Sequence, residues 1–333
     1  MAELKALIIG LGSMGTRRLR LIKENYPNIT IFGVDSIEER RLKAEKEYQI
    51  STFKDITQAI QYAKPDFAIV STAPLNHAAI ISLILDNNID VFTELNLVSD
   101  GYEEIIEKAA NKNRILFLSS TMLYRNEIDI IKQYINKLSE NANYNFHVGQ
   151  YLPDWHPWEN YKNFFVADKR TNGCREIFAV QLPWLIDVFG EIQSLHVVKN
   201  KISKIDIDYN DSYLVIFEHA TGHKGSVCFD IVCRRPTTHL EIFSENLFMQ
   251  WEGTPDSLQE YNFNTKSMQK VETYSSIDHN NDYAKHIIEN AYLLELDLFL
   301  NSVNRRCDLS RYSFKDDFYT IKLIDKIENE IIA

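Results

Sequence analysis

The sequence predicts an α/β protein in which an N-terminal doubly wound parallel sheet precedes an α+β domain with a largely antiparallel sheet. Over roughly the first 120 residues, continuous apolar runs alternate with segments of helical composition, as in parallel strands covered by helices on both faces. From Asn145 onward, apolar and polar residues alternate with a period of two, which favours antiparallel strands. Because 333 residues exceed what one core usually organises, we expect two domains, 1–122 and 123–333, with the last helix a candidate to pack back on the first domain.

The first elements form a recognisable unit. The apolar run Leu4 to Ile9 predicts a buried strand, and it is followed at once by Gly10-Leu11-Gly12-Ser13-Met14-Gly15. A predicted helix, Thr16 to Asn25, and a second strand, Ile29 to Val34, lead to Asp35. Strand, GxGxxG, helix, strand and acidic residue together are typical of a dinucleotide-binding Rossmann unit.

Each residue of the glycine motif has a physical task in such a unit. Gly10 allows the tight turn, Gly12 lets the backbone approach a pyrophosphate, and Gly15 permits close packing of helix on strand. Ser13 and Met14 complete the motif just before the predicted helix, whose N-terminus favours an anion. The motif therefore predicts a bound dinucleotide, and the alternative is a glycine turn with a solvated Asp35.

Asp35 predicts which dinucleotide is preferred. It lies 20 residues after Gly15, where a carboxylate accepts hydrogen bonds from the ribose hydroxyls and repels the additional phosphate of NADP. We therefore expect NAD to be preferred over NADP. Three more apolar runs predict further parallel strands, 66–71, 91–94 and 115–119, and Thr72 and Glu94 lie at the ligand-binding carboxyl ends of two of them.

The ordered segments GLGSMG, VD, STAPLNH and FTEL resemble the glucose-fructose oxidoreductase and inositol dehydrogenase family (Gfo/Idh/MocA). The resemblance covers essentially the whole chain and is strongest over the first 120 residues. It implies a homo-oligomeric oxidoreductase acting on a sugar, with cofactor contacts from Thr72, Ala73, Pro74, His77 and Glu94. For His77, a helix-capping or solvated histidine is the alternative.

Two departures from the family's signatures concern proton transfer. The sequence has Glu94-Leu95-Asn96 where the family has Glu-Lys-Pro, so the lysine is replaced by leucine. In the second signature, Glu176 aligns with the family's aspartate and Val180 with its histidine. Neither leucine nor valine can accept a hydroxyl proton, so other residues must do so if the protein is catalytic.

The segment 150–162 has the highest concentration of aromatic and charged side chains in the second domain. Its prolines exclude a regular helix or central strand, so its aromatic and polar side chains are displayed on a loop, a mixture that suits a sugar. Alternatively, Trp155 and Trp158 fill the domain junction. The predicted substrate-binding residues of this loop and the following helix are Tyr151, Trp155, Trp158, Arg175 and Trp184.

Glu176 and His156 are the predicted catalytic residues. Glu176 stands in the place of the family's acidic residue, and His156 could supply the imidazole that Val180 cannot. The alternative for Glu176 is a buried structural ion pair with Arg175.

Composition restricts the partners. The net charge of −11 argues against nucleic acid, and no apolar stretch approaches the roughly 18 to 20 residues that span a bilayer. The four cysteines show neither a CxxC pair nor zinc-ligand spacing, so we expect no metal and free thiols in the cytoplasm.

Three functions are consistent with these features. The leading one is an NAD-dependent oxidoreductase that transfers a hydride at a ring carbon of a sugar or nucleotide sugar. The second is a non-catalytic descendant that keeps the NAD fold and binds a sugar or protein partner. The third is an NAD-retaining lyase or epimerase.

Overall fold

The computed structural model describes residues 4–156, 159–278 and 287–330. The chain divides into two compact units. Unit 1 comprises the residues up to Ser120 together with Tyr292–Phe318, and unit 2 comprises Thr121–Ala291 together with the residues from Tyr319 onward.

Unit 1 is built on a six-stranded sheet in which all neighbouring strands run parallel, in the order β3-β2-β1-β4-β5-β6. The reversal of strand order on either side of β1 is the doubly wound arrangement that the sequence predicted. The strands are β1 Lys5–Ile9, β2 Thr30–Val34, β3 Ser51–Phe53, β4 Phe67–Val70, β5 Asp90–Thr93 and β6 Leu116–Leu118.

Five helices alternate with these strands. The strand β4 is buried at every residue and wholly apolar, as expected where helices cover a sheet on both faces. These helices are α1 Ser13–Asn25, α2 Glu38–Tyr48, α3 Ile56–Ala63, α4 His77–Asp86 and α5 Tyr102–Asn111.

Unit 2 contains an eight-stranded sheet in the order β14-β13-β12-β11-β7-β10-β9-β8. Among these described strands, β7 and β10 form the one parallel pair, so the predicted, largely antiparallel sheet is confirmed. The strands are β7 Asn143–Gly149, β8 Ile192–Asn200, β9 Ser212–His219, β10 Lys224–Asp230, β11 Thr237–Phe243, β12 Phe248–Trp251, β13 Gln259–Asn262 and β14 Ser267–Lys270.

One face of this sheet forms the core of unit 2. Phe178 packs edge-on against Phe229, and buried and exposed residues alternate along β9 as a half-buried strand requires. Leu214 and Ile216 of β9 lie on the opposite face, which we call the outer face, and are exposed. The helices are α6 Asn126–Lys137, α7 Gly173–Phe189, α8 Glu289–Arg305 and α9 Phe314–Asn329, of which α8 and α9 each contribute to both units.

The segment between β7 and α7 contains four short 3₁₀ turns and no longer helix or strand in its described part. This agrees with the effect of its prolines. Trp158, a predicted substrate-binding residue, lies outside the described residues.

Candidate functional site

Two glycines of the first loop are required by close backbone contacts. Gly10 has a φ of +91°, and a Cβ there would lie 2.5 Å from the carbonyl oxygen of Ser71. A Cβ on Gly15 would lie 1.8 Å from the carbonyl oxygen of Gly10. The turn and the packing of α1 on β1 therefore exclude any side chain at these positions.

Gly12 is different, because the space above it is open. The nearest atom to a Cβ at Gly12 is Nη1 of Arg40, at 3.6 Å. Gly12 is the N-cap of α1 and supplies no side chain to the helix amides that follow, those of Ser13 and Met14 among them. Because neighbouring atoms do not require glycine at position 12, its presence at the start of a helix is better explained by the close approach of an anionic group.

Unpartnered hydroxyl groups lie beside the same loop. The side-chain oxygens of Ser71 and Thr72 are buried and have no hydrogen-bond partner within the described part of the chain. Both residues follow β4 and approach Gly10 closely. Because buried hydroxyls are normally hydrogen-bonded, these two fit a polar ligand at the carboxyl edge of the sheet. The residues present thus suit a dinucleotide.

Asp35 is only 6% exposed, so the alternative of a solvated carboxylate does not hold. Its Oδ2 accepts a hydrogen bond from the Leu11 amide, and its Oδ1 accepts one from the Ile37 amide, both at 2.8 Å. The carboxylate thereby ties the end of β2 to the glycine loop. Each oxygen keeps further acceptor capacity for a ribose hydroxyl.

Arg40 complicates the prediction of cofactor preference. Its Nη1 lies 3.7 Å from Oδ2 of Asp35, and its side chain is partly exposed. A guanidinium beside the carboxylate offsets part of the negative charge that would repel a phosphate. Asp35 is therefore not the sole charge at this position.

The residues after β4 differ in accessibility. Ala73 is exposed, whereas Pro74 is buried and begins a short 3₁₀ turn, Pro74–Asn76. Thr72 and Ala73 can therefore reach a ligand with side-chain or backbone atoms, while Pro74 shapes the turn.

His77 is buried, and the structure excludes the alternative of a solvated histidine. Its Nε2 lies 2.8 Å from the carbonyl oxygen of Thr72, and its Nδ1 lies 2.5 Å from the side-chain amide of Asn96. Burial lowers the pKa of His77, although the bonds to Asn96 and Thr72 oppose this shift. Because its two nitrogens contact Asn96 and Thr72, His77 connects the segments that follow β5 and β4.

Glu94, at the end of β5, is part of a buried ion cluster. Its two carboxylate oxygens lie 2.7 and 3.1 Å from the guanidinium of Arg18. Arg18 also donates to Glu295 at 2.6 Å. The side chain of Glu94 is therefore engaged within unit 1, and we propose that it contacts a cofactor through its backbone or through the residues that it positions.

In unit 2, Glu176 lies in the first turn of α7. The residue is partly exposed as a whole, but its Oε2 is buried and has no hydrogen-bond partner among the described residues. Burial raises the pKa of Glu176 to about 7. A carboxyl group with such a pKa can accept or donate a proton near neutral pH.

Arg175 does not form the ion pair with Glu176 that was the alternative. Adjacent helical residues point in different directions, and Arg175 instead binds Asp325, at 2.7 Å, and Glu328 of α9. The prediction that Arg175 binds substrate is corrected for the same reason, because its buried guanidinium joins α7 to α9.

Trp184 is also corrected. It is completely buried and packs edge-on against Phe146 and Trp251, with its indole nitrogen donating to Gln181 at 2.8 Å. It belongs to the core of unit 2 and cannot contact a substrate.

The two other aromatic residues of the loop remain accessible. Tyr151 is partly exposed, with the guanidinium of Arg234 4.0 Å from its ring centre. Trp155 is partly exposed and donates from its indole to the carbonyl oxygen of Gln150 at 3.1 Å. A Cβ on Gly173 would lie 3.4 Å from the Trp155 ring, so the loop packs against the first turn of α7.

His156 lies on this loop and stacks on Phe164 with a centroid distance of 4.6 Å. Its Nδ1 is 3.9 Å from a carboxylate oxygen of Glu159. Burial lowers the pKa of His156, and Glu159 opposes the shift. The imidazole is therefore largely neutral at neutral pH and can accept a proton.

The fold and these residues together define a dinucleotide-binding protein with a second, α+β unit. Residues 4–120 match the model of the Gfo/Idh/MocA family, described as "Oxidoreductase family, NAD-binding Rossmann fold". This match covers the N-terminal third of the chain and agrees with the resemblance that its sequence motifs predicted. No curated protein matched the sequence.

Solved structures share the fold over almost the whole chain at low identity. Myo-inositol 2-dehydrogenase from Lactobacillus plantarum has a TM-score of 0.78 and 13% identity, covering 97% of this chain and 96% of its own. Levoglucosan dehydrogenase in complex with NADH and L-sorbose has a TM-score of 0.78 and 14% identity, covering 97% of this chain and 95% of its own. Biliverdin reductase from Synechocystis, in complex with biliverdin and NADP+, has a TM-score of 0.77 and 13% identity, covering 98% of both chains.

These neighbours limit what the fold alone can decide. They include complexes with NADH and with NADP+, and their names indicate chemically different substrates. Within the described ranges, no helix has both the length and the apolar character needed to cross a membrane.

The raised pKa of Glu176 predicts a pH-dependent stability. Between the ordinary glutamate pKa, 4.5, and about 7, the unfolded chain ionises this group while the folded protein keeps it protonated. Stability is therefore lost as pH rises through this window. Glu176→Gln should be more stable than the parent by about 1–3 kcal/mol at pH 8 and nearly equal to it at pH 4.5. Urea unfolding at both pH values measures the difference.

The matched control is Glu107→Gln, which changes an exposed glutamate of α5. It should change stability equally little at both pH values. A Glu176→Gln protein whose stability relative to the parent does not vary with pH would contradict the burial of this carboxyl group.

Proposed function

We propose that the protein is an NAD-dependent oxidoreductase that transfers a hydride at a ring carbon of a sugar or nucleotide sugar. In this proposal, residues 1–122 form the cofactor-binding domain and residues 123–333 the substrate-binding domain. The observation that carries it is Glu176, whose Oε2 is buried without a hydrogen-bond partner among the described residues and whose pKa is raised by burial to about 7. The family match over residues 4–120 supports the oxidoreductase activity, and neighbours named for myo-inositol and levoglucosan support the substrate class.

The cofactor residues follow from the glycine loop and the carboxyl edge of the sheet. Gly10, Gly15 and Asp35 are proposed to fix the conformation of the loop. Gly12 leaves room for the pyrophosphate, and Ser13 and Met14 present backbone amides to it. Thr72 and Ala73 are proposed to contact the nicotinamide half, with Pro74, His77 and Glu94 holding that segment in place. When bound, NAD supplies the hydride acceptor.

Proton transfer is assigned to unit 2. Oxidation of an alcohol releases the hydroxyl proton, and Glu176 in its ionised form would accept it. His156 is neutral at neutral pH and would pass the proton on toward solvent. Tyr151 and Trp155 would stack on the sugar ring, and Trp158 is proposed with them from the sequence alone.

Two further properties belong to the proposal. The free cysteines are consistent with a cytoplasmic protein. A homo-oligomer is supported by exposed apolar residues on the outer face of the sheet, Val198, Leu214 and Ile216, of which Val198 and Leu214 are register partners. The mass in solution, measured by light scattering, tests the oligomer, and a monomer would refute it.

Gly12→Val tests whether a dinucleotide binds at the glycine loop. The substitution places a branched side chain in space that the folded chain leaves open, so the fold should persist while NAD binding is abolished. Calorimetric titration with NAD, together with circular dichroism, measures both. Arg40→Ala is the control, because Arg40 is the neighbour that the valine would touch; it should keep NAD binding. A folded Gly12→Val protein with parental affinity would refute the site.

Asp35→Ala tests the preference for NAD. Removing the carboxylate abolishes its repulsion of the additional phosphate, so the ratio of NADP to NAD affinity should rise by about tenfold or more, equal to about 1.4 kcal/mol. Arg40→Ala should change the ratio in the opposite direction, since it removes the cation that would attract the phosphate. Equal affinity of the parent for both cofactors would contradict the assignment of Asp35.

Glu176→Gln and His156→Ala test the proton-transfer residues. Each should lower turnover of a sugar substrate by about 10²- to 10⁴-fold while NAD affinity stays parental, since general acid-base groups contribute factors of this size. Turnover is followed by NADH absorbance over a panel of sugars and nucleotide sugars. Asp187→Asn, an exposed change on the same helix, should leave turnover unchanged. Parental rates in both catalytic variants would refute the assignment.

A second candidate function rests on Leu95 and Val180. If no sugar or nucleotide sugar reduces bound NAD, the absence of proton acceptors at these two positions favours a non-catalytic NAD-binding protein that recognises a sugar or protein partner. An NAD-retaining lyase or epimerase would instead convert the substrate without net NADH.

A further inference from the structure

Three potential metal ligands meet on the outer face of the unit 2 sheet. His147 of β7 is the register partner of Cys228 of β10, and Gly149 is the partner of Asp230. Side chains two residues apart on a strand share a face, so His147, Cys228 and Asp230 lie together. One potential ligand atom of each lies within 4.8 Å of the others.

The carboxylate of Asp230 is already oriented. Its Oδ1 accepts hydrogen bonds from the amides of Val232, at 2.9 Å, and Cys233, at 2.8 Å. Its Oδ2 is thereby directed to Nε2 of His147, 2.8 Å away. Such anchoring of one carboxylate oxygen by backbone amides is how proteins fix the orientation of a metal ligand.

Gly149 makes room for these ligand side chains, which occupy the space where its own side chain would lie. A Cβ at this position would lie 2.6 Å from Oδ2 of Asp230 and 2.9 Å from Nε2 of His147. Gly149 is not among the residues with positive φ, so its backbone conformation does not require glycine. The requirement comes from the side chains around it.

Access to the cluster is open on one side. Asp230 is buried, whereas His147 and Cys228 are partly exposed. In the single chain, an ion can therefore reach the cluster from solvent and still be held against a fixed carboxylate.

We propose that His147, Cys228 and Asp230 bind a zinc ion, with water as the fourth ligand. A thiolate, an imidazole and a carboxylate form a mixed donor set that suits zinc, whereas magnesium and calcium prefer oxygen ligands alone. On binding, the thiol proton of Cys228 and the proton between His147 and Asp230 pass to solvent.

The ion would join two strands that are distant in sequence and adjacent in the sheet. None of its ligands belongs to the proposed cofactor or catalytic residues, so a test of zinc binding does not depend on whether the protein is the proposed oxidoreductase. Because zinc would bind the folded protein, it should also raise the midpoint of thermal unfolding.

Calorimetric titration of the purified protein with zinc chloride tests the proposal. We expect one zinc per chain, no comparable binding of magnesium chloride, and weaker zinc binding in Cys228→Ser and in His147→Gln. The loss should be at least the roughly 10- to 100-fold that weaker, outer-shell changes produce. With cobalt(II) as the probe, the thiolate-to-metal absorption band of the parent should disappear in Cys228→Ser.

Matched controls are Cys307→Ser, which removes an exposed cysteine elsewhere, and His196→Gln, which removes an exposed histidine of β8. Both should bind zinc as the parent does. The proposal is overturned if the folded parent binds no zinc, or if Cys228→Ser and His147→Gln keep parental affinity. NAD titration of the same samples keeps this result independent of the cofactor site.

Discussion

The buried guanidinium of Arg18 holds together the elements that shape the cofactor edge of unit 1. It binds Glu94 at the end of β5 and Glu295 in α8, and it donates to the Ser119 hydroxyl at 3.1 Å. Glu295 also accepts from the Ser120 amide. Burial raises the pKa of Glu295, and Arg18 opposes this shift. Two carboxylates share one cation here, so removing the cation would leave buried charges without compensation, which is strongly destabilising in proteins.

This cluster is one of three contacts that hold the glycine loop in position. Helix α1 is fixed at its start by the contact of Gly15 with Gly10, and one turn later by Arg18. Asp35 adds a third restraint through the Leu11 amide. With both ends of the loop fixed, the open space above Gly12 is a property of the fold rather than of a particular side-chain conformation. The carboxylate of Glu94 is the counter-charge of this arrangement and not a free ligand for a cofactor.

The features that were predicted correctly from the sequence are those determined by residues close together in the chain. The strand, glycine loop, helix and second strand follow from contiguous residues, and the period-two alternation identified the antiparallel sheet of unit 2. The predicted substrate-binding roles of Arg175 and Trp184 were wrong, because helical spacing shows which residues share a face of a helix but not which residues that face contacts. The partners of Arg175 lie in α9, some 150 residues later, and Trp184 meets Phe146 and Trp251. The cluster of His147 with Cys228 and Asp230 was missed likewise, since spacing rules for metal ligands see only neighbours in sequence.

The burial of Glu176 is unfavourable for stability but useful for proton transfer. An unpartnered buried carboxyl group is unfavourable when ionised, and the fold provides no cation for it among the described residues, although it does provide acids for Arg175 in the adjacent position. A purely structural role would be served as well by glutamine, which stays neutral at every pH. A glutamate whose pKa is raised to about 7 is half-ionised near neutral pH, so it can take a proton in one step and release it in the next. Buried polar groups that break the rule of satisfied hydrogen bonding are enriched at functional sites. These properties are why we propose Glu176 as the proton acceptor, since leucine and valine stand where the resemblance to the family would place a lysine and a histidine.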